Sequence, residues 1–366
     1  MIKIQILAPH LTINQKPMSP TTQKALFLLE KCGDFAVKET KIFKPGPGDL
    51  LIKVHATSLN PVDWKIQKYG FAIEDYPAIL GTDTAGEVVE LGEGVTGFKK
   101  GDRIFSHVIF ENKYASFQQY GLTWASAAAR VPDKWTYDQV AGLPLALTTA
   151  YVGLYNTVPH GLGYTPPNSP ANRGKYAGTP FIVLGGSSSV GQMILQLAKI
   201  SGFSPIITTA SLKHTDFLKS LGATHVLDRN LPNETILSEV RKLTNGQKIT
   251  KLYDSVSTAS TQQLGLDILA SDSDGQLLAT LPAAVEVPKD KSIFTVWAGP
   301  RVEANIKLVE ELYHDLITGF LEDGLIKPNN IEVLPEGLNG IPGGLDRMAA
   351  DQISALKLIA HPQETP

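Results

Sequence analysis

The sequence is poor in cysteine, has no excess of charge of one sign and lacks an apolar run long enough to cross a membrane. Its single cysteine, Cys32, excludes an internal disulfide framework and a four-cysteine zinc lobe, and it agrees with a reducing compartment. The 33 basic and 36 acidic residues give a formal net charge of -3, which is too balanced to hold nucleic acid or an anionic membrane. The most apolar stretch, residues 140–155, is too short to span a bilayer. We therefore expect a soluble cytoplasmic protein.

The chain of 366 residues is long enough for two domains, and its pattern changes near residue 137. Residues 25–134 contain short β-rich runs separated by glycine and proline, which is typical of a compact all-β unit. Beyond them, apolar runs alternate with amphipathic segments of helical length. This alternation predicts an α/β unit, a doubly wound parallel sheet that binds its ligand at the carboxyl ends of its strands. The predicted strands are 180–184, 205–209, 225–228, 250–254, 276–281 and 292–297.

The all-β unit is expected to be discontinuous in sequence, because strand-like spacing returns beyond residue 331, after a predicted helix over 302–321. Residues 1–7 also alternate like a strand, and residues 161–177, rich in proline, glycine and asparagine, predict a surface loop. The predicted units are an N-terminal extension of residues 1–21, a β-rich catalytic domain of residues 22–145 and 322–366, and a nucleotide-binding domain of residues 146–321.

The most informative segment is a turn of glycine and serine, residues 185–191, between an apolar run and an amphipathic segment. In dinucleotide-binding proteins a buried strand enters such a turn, and the next helix directs its free N–H groups at a pyrophosphate. Gly186 and Gly191 match the first and last glycines of the G-x-G-x-x-G pattern, whereas Ser188 replaces the second. The turn predicts a dinucleotide site. The alternative is a turn without ligand in which a serine caps the helix.

No acidic residue follows the predicted second strand, 205–209, before Asp216. NAD-binding proteins place a carboxylate at that point to bond the ribose 2′-OH. Here Ser211, Lys213 and His214 follow the strand, and their donors suit a 2′-phosphate at a helix start. The segment favours NADPH. The alternative makes Ser211 an N-cap and Lys213 a solvated residue of the first helical turn.

Three successive motifs, residues 60–65, 81–89 and 95–104, resemble those of the medium-chain dehydrogenase/reductase superfamily, and the similarity runs from about residue 22 to 362. Residues 60–65 and the glycine-serine turn are similar to the zinc-free quinone oxidoreductase branch, especially to fungal trans-acting enoyl reductases of polyketide pathways. The resemblance implies a GroES-like β-rich catalytic domain packed on a Rossmann domain, with NADPH in the cleft. It also implies a polyketide synthase as a partner to consider.

Zinc-dependent members of the superfamily carry a histidine in a Gly-His-Glu segment and a cysteine in an early loop. The matching positions here are Thr82, Asp83 and residues 60–63, and none of them is a histidine or a cysteine. A catalytic zinc needs three protein ligands, so we expect no metal. A zinc alcohol dehydrogenase is therefore the less favoured alternative. Asp63 and Asp83 could hold another cation, but carboxylates that cap backbone N–H groups are the expected interpretation.

The resemblance also implies which side chains line the cleft. Asn60 and Lys65 are expected to face it, Lys65 as a cofactor contact or as an oxyanion stabiliser. Tyr69 is our predicted proton donor, with packing under its loop as the alternative. Arg229 replaces the tyrosine that relatives place near adenine, through cation-π stacking or by pairing a phosphate. The other cofactor contacts implied are Val62, Thr149, Gly186, Ser187, Ser188, Ser189, Val190 and Lys357, besides Ser211, Lys213 and His214.

Together these features predict an NADPH-dependent reductase that transfers hydride to an activated C=C bond, in an enone or an enoyl thioester, or to a quinone. The alternative from another class is a nonenzymatic NADPH-binding protein on the same fold, because a fold does not fix a function. A monomer and a homodimer are both compatible with the sequence, and residues 294–297 are a candidate edge strand for a dimer.

Overall fold

The β-rich part of the molecule contains two sheets of mostly antiparallel strands. The computed structural model describes residues 20–271 and 274–366, so the strand predicted at residues 1–7 lies outside the described residues. The first sheet has the order β2-β1-β4, and in the second β3 lies between β5 and β7. The strands are β1 (Thr22–Leu28), β2 (Phe35–Lys41), β3 (Asp49–Ser58), β4 (Ala78–Ile79), β5 (Asp83–Leu91), β6 (Arg103–His107), β7 (Tyr120–Trp124) and β8 (Ala128–Arg130).

Six parallel strands form a separate sheet in the order β11-β10-β9-β12-β13-β14, which is the order of a Rossmann sheet. All four residues of the central strand β9 are buried, as expected where helices cover both faces. Each strand lies within two residues of its predicted position because buried parallel strands are continuous apolar runs. They are β9 (Phe181–Leu184), β10 (Ile206–Ala210), β11 (His225–Asp228), β12 (Lys251–Asp254), β13 (Gly275–Ala279) and β14 (Lys291–Thr295).

Ten helices are found in the described parts of the chain. They are α1 (Pro61–Tyr69), α2 (Tyr137–Ala141), α3 (Pro144–Tyr155), α4 (Ser189–Ser201), α5 (Thr215–Leu221), α6 (Asn233–Leu243), α7 (Ala259–Ile268), α8 (Ile306–Glu310), α9 (Ile317–Glu322) and α10 (Ile341–Ala349). Helix α3 is buried nearly all round and belongs to the largest apolar core, which also contains Ala56 and Phe105 of the β-rich sheet. One core therefore joins the sheet that contains β3 to the six-stranded parallel sheet. Among the described residues no helix is both long and apolar enough to cross a membrane.

The helix predicted over residues 302–321 was only partly correct. It begins at Ile306, because the Asn305 amide donates to the carbonyl oxygens of Trp297 and Gly299, at 2.7 and 3.0 Å, and so holds a turn before it. A π-helical segment, Glu311–Leu316, then separates α8 from α9. Residues 161–177 lack regular helix or strand, in agreement with the predicted loop.

Two strands of the tail, β15 (Ile331–Val333) and β16 (Lys357–Ala360), return to the β-rich sheet. β16 pairs with β15 in parallel and with β3 in antiparallel orientation, so that Ile359 lies opposite Ser58. The tail thus closes one end of the seven-stranded sheet and brings Lys357 beneath α1. The boundaries predicted for the two domains stay a prediction.

Candidate active site

The glycine-serine turn lies where β9 ends and α4 begins, pressed against two neighbouring segments. Gly185 has a φ of +82°, and a Cβ there would lie 2.2 Å from the Cγ2 atom of Val256. A Cβ on Gly186 would lie 2.3 Å from Thr208 Oγ1, and one on Gly191 would lie 2.4 Å from the carbonyl oxygen of Gly185. These glycines therefore permit close packing that a larger residue would prevent, and they leave bare backbone at the carboxyl end of β9.

Ser188 caps helix α4 with its hydroxyl group. Its Oγ accepts a hydrogen bond from the N–H of Gly191 at 2.9 Å and donates to Ser255 Oγ, also at 2.9 Å. The serine cap considered from the sequence is thus present, and the hydroxyl is engaged within the protein. Helical geometry leaves the N–H groups of Ser189 and Val190 without intrahelical acceptors. The part of this turn that suits a pyrophosphate is consequently backbone, and Ser187 is half-buried beside it.

Three cationic or titratable side chains gather at the carboxyl ends of β10 and β11. The parallel register sets Asp228 beside Ala210, and the N–H of Arg229 donates to the carbonyl oxygen of Ala210 at 3.0 Å. Burial, Lys213 and Arg229 all lower the pKa of His214. Ser211 is half-buried and begins the turn that carries Lys213. The structure therefore places Arg229, predicted to replace the tyrosine near adenine, close to the segment of Ser211, Lys213 and His214 that is predicted to hold a 2′-phosphate.

A buried polar network lies below the start of α1. Asp83 is fully buried, and its Oδ2 atom accepts hydrogen bonds from Ser58 Oγ at 2.5 Å and from Asn60 Nδ2 at 2.9 Å. The Lys357 ammonium lies 3.2 Å from the same oxygen and also donates to Asn60 Oδ1 and to the carbonyl oxygen of Leu59. Two predicted site residues, Asn60 and Lys357, are thus in contact, but both are buried within the protein.

Two further titratable groups border this network. Asp63 Oδ2 accepts from the N–H of Asn60 at 2.8 Å, which closes a capping box at the start of α1. Burial raises the pKa of Asp63 to about 7, and the nearby Asp83 adds to the shift. Burial lowers the pKa of His107 to about 4, although Asp83 opposes that shift. The expectation that Asp63 and Asp83 cap backbone N–H groups is confirmed, because Asp83 Oδ1 also accepts from Leu145.

The remaining predicted residues of α1 lie on its outer part. Lys65 is half-buried, its ammonium lies 5.6 Å from the centre of the Trp64 ring, and burial lowers its pKa. Tyr69 is 59% exposed and packs against Trp64, with 6.0 Å between ring centres. No hydrogen bond joins Tyr69 to Asn60 or Lys65 in the described part of the chain. Val62 packs against the core under α1. The packing alternative for Tyr69 therefore stays open.

Thr149 lies in the second turn of α3, and its hydroxyl donates to the carbonyl oxygen of Leu145 at 2.7 Å. That bond is the common way a threonine satisfies its hydroxyl inside a helix.

The sequence reasoning gave Asp83 a capping role only and did not identify Tyr313, whose hydroxyl donates to the carbonyl oxygen of Pro144 at 2.9 Å. No local pattern signals either contact, because each joins segments that are far apart in sequence.

Comparison with known proteins agrees with this arrangement. Residues 46–140 match the family described as alcohol dehydrogenase GroES-like domain, and residues 189–298 match zinc-binding dehydrogenase. The dehydrogenase azaJ of Aspergillus niger is 31% identical over 92% of this chain and 98% of its own. The chain belongs to the medium-chain dehydrogenase/reductase superfamily.

Two further similarities concern the family and the fold. The trans-enoyl reductase tndF of Aspergillus flavipes is 30% identical over 92% of this chain and 98% of its own. A mycobacterial protein solved in complex with NADPH shares the fold, with a TM-score of 0.72 and 22% identity over 93% of this chain and 100% of its own. The predicted family and fold are therefore confirmed. As a superfamily member the chain is an oxidoreductase with a nicotinamide cofactor and a small-molecule substrate, which counts against the nonenzymatic alternative.

Proposed function

We propose that this protein is a zinc-independent, NADPH-dependent reductase of an activated C=C bond, in an enone or enoyl thioester, or of a quinone. The observation that carries the preference for NADPH is the grouping of Lys213, His214 and Arg229 beyond β10, together with the lack of an acidic residue between the end of β10 and Asp216. The N–H groups of Ser189 and Val190, which have no intrahelical acceptors at the start of α4, suit a pyrophosphate. The residues present thus fit the cofactor.

Bound there, NADPH would supply a hydride for the carbon β to a carbonyl group. The residues of α1 would then act on the rest of the acceptor. The Lys65 ammonium, whose pKa burial lowers, would stabilise negative charge on the carbonyl oxygen. The exposed Tyr69 hydroxyl or a water would deliver the proton to the α-carbon. Thr149 is proposed at the nicotinamide side, together with Val62.

The partner and the assembly belong to the proposal as well. The relatives named trans-enoyl reductases support an enoyl acceptor, either a free small molecule or one presented by a polyketide synthase, the partner that the sequence resemblance implies. β14 is an edge strand of the six-stranded sheet, and Trp297 beyond it is 62% exposed. An exposed edge with an aromatic side chain supports a homodimer, with a monomer as the alternative. We place the protein in the cytoplasm on the balance of its charges and its single cysteine.

The decisive experiment follows the oxidation of NADPH at 340 nm with a panel of 2-alkenals, 1,4-quinones and a crotonyl thioester. We expect turnover of at least one acceptor class and a clear preference for NADPH over NADH. Tight NADPH binding without turnover of any acceptor would contradict the reductase. Metal analysis of the purified enzyme serves as the control, because stoichiometric zinc together with alcohol oxidation would favour the zinc dehydrogenase instead.

A further inference from the structure

We propose that Asp83 is a positioning residue that fixes helix α3 against the start of α1 and thereby aligns the two sides of the cleft. This inference rests on the proposed function, since it assigns Thr149 to the cofactor side and residues 60–65 to the acceptor side. Asp83 comes from neither helix. It lies at the start of β5, so its carboxylate can act on both.

One oxygen of Asp83 serves the start of α3. Its Oδ1 atom accepts from the N–H of Leu145 at 2.7 Å, in the first turn of the helix. The residue at the N-cap position, Leu143, has no side chain that could accept such a bond. Asp83, which lies on strand β5, therefore supplies the N-cap that α3 lacks. Its negative charge lies at the N-terminus of the helix, where the helix dipole favours an anion.

The other oxygen serves the start of α1. Oδ2 accepts from Ser58 and Asn60 and lies 3.2 Å from the Lys357 ammonium. The three donors of that ammonium are directed to Leu59, Asn60 and Asp83, so none is left to reach a cofactor. Lys357, predicted from the resemblance to contact the cofactor, is better assigned as the counter-charge of Asp83.

Through its two oxygens, Asp83 links the position of Thr149 on α3 to the position of Lys65 on α1, and the proposed reaction needs these two side chains aligned. Leu145 and Thr149 are joined by a hydrogen bond along one turn of α3, so a shift at Leu145 also moves Thr149. Asn60 is the N-cap of α1, which carries Lys65. A misplacement of about 1 Å between reacting partners can cost about a hundredfold in rate. Among the residues that the structure describes, neither the glycine-serine turn nor Lys213, His214 or Arg229 makes a hydrogen bond to Asp83.

The test is Asp83→Asn, because an amide offers one acceptor oxygen where the carboxylate offers two. We expect kcat to fall at least about tenfold while the Kd of NADPH changes less than about threefold. Hydrogen exchange followed by mass spectrometry should show faster exchange over residues 143–149. The double variant Asp83→Asn with Lys357→Met removes the buried unpaired cation, so it should regain thermal stability without regaining kcat.

Asp102→Asn is the matched control, since Asp102 is also buried and binds the backbone N–H of Lys99 and the Arg130 guanidinium away from α3. It should lower stability without changing kcat or exchange at residues 143–149. Unchanged exchange there in Asp83→Asn, or full recovery of kcat in the double variant, would overturn the inference. If wild-type enzyme reduces no acceptor, the proposed function fails, while the exchange measurement still decides the role of Asp83.

Discussion

We propose that Lys213 and Arg229 are the side chains that distinguish a 2′-phosphate from a 2′-hydroxyl group. They lie after different strands, yet both lower the pKa of His214 and so share one electrostatic neighbourhood. Both are exposed, so water and salt weaken each contact, but a charge-assisted bond to phosphate is stronger than one to a hydroxyl. Cofactor preference should therefore depend on both residues.

Replacing Lys213 or Arg229 by alanine should weaken NADPH binding about tenfold and leave NADH binding nearly unchanged, because only NADPH offers a 2′-phosphate. Fluorescence titration with both nucleotides measures this directly. Lys219→Ala, in the last turn of α5, provides a control with the same loss of charge. Equal losses for NADPH and NADH would place the phosphate elsewhere.

Sequence reasoning grouped the residues proposed to bind the 2′-phosphate, but it did not find the buried contacts of Lys357. Ser211, Lys213 and His214 are neighbours in the chain, so a local pattern was enough to group them. The contact of Lys357 with Leu59 spans 298 residues, and nothing in either segment indicates it. Burial also changes what a residue can do, since Asn60 was predicted to face the cleft and is 1% exposed.

At the scale of elements, the strand-turn-helix unit of β9 and α4 combines two functions in one turn. Ser188 stabilises the helix, while the free N–H groups of Ser189 and Val190 suit an anion. The serine in place of the second glycine is explained by its bond to Ser255, which ties the turn to the loop after β12. A glycine there would remove this bond, although Ser255 would keep its hydrogen bonds to the carbonyl oxygens of Leu184 and Gly185.

Ser188→Ala should lower the free energy of unfolding by about 1 kcal/mol, the usual cost of a lost N-cap, and should change the Kd of NADPH less than about threefold. Urea denaturation and fluorescence titration provide the two numbers. Ser189→Ala is a control that removes a neighbouring hydroxyl without removing the cap. A large loss of NADPH affinity with unchanged stability would mean that the Ser188 hydroxyl itself binds the phosphate.

The regular elements were predictable to different degrees. The six parallel strands were found because each is a short apolar run bounded by polar or small residues. The π-helical segment 311–316 was missed, since its apolar spacing does not differ enough from that of an α-helix. Within this segment, Tyr313 donates to the carbonyl oxygen of Pro144, a contact between segments that are far apart in sequence.

At the scale of the whole molecule, the C-terminal tail contacts helix α2 through His361, which lies between two carboxylates. His361 Nε2 lies 2.8 Å from Asp138 Oδ1, and its Nδ1 lies 2.9 Å from Glu364 Oε1. Burial alone would lower the pKa of His361, but the two carboxylates raise it above the ordinary 6.5. The protonated form thus holds α2 and the tail together, with His55 as the neighbouring titratable group.

Because the folded pKa of His361 is raised, its contribution to stability is fully present below pH 6.5 and is lost as the pH rises through the folded pKa. Asp63 acts in the same direction and His107 in the opposite one, so a single pH profile is not decisive. The difference in melting temperature between wild type and His361→Gln should shrink from about pH 6 to about pH 8.5. A constant difference would contradict the ion-pair role.

The pairing of β16 with β3 also constrains the order of assembly during synthesis. The ribosome must produce all six strands of the parallel sheet between these two partners. Until β16 arrives, Asp83 and Asn60 lack the Lys357 ammonium, and the polar network below α1 is incomplete. The nascent chain can therefore complete its nucleotide-binding sheet before its acceptor side, so cofactor binding and catalytic competence should appear at different times during biosynthesis.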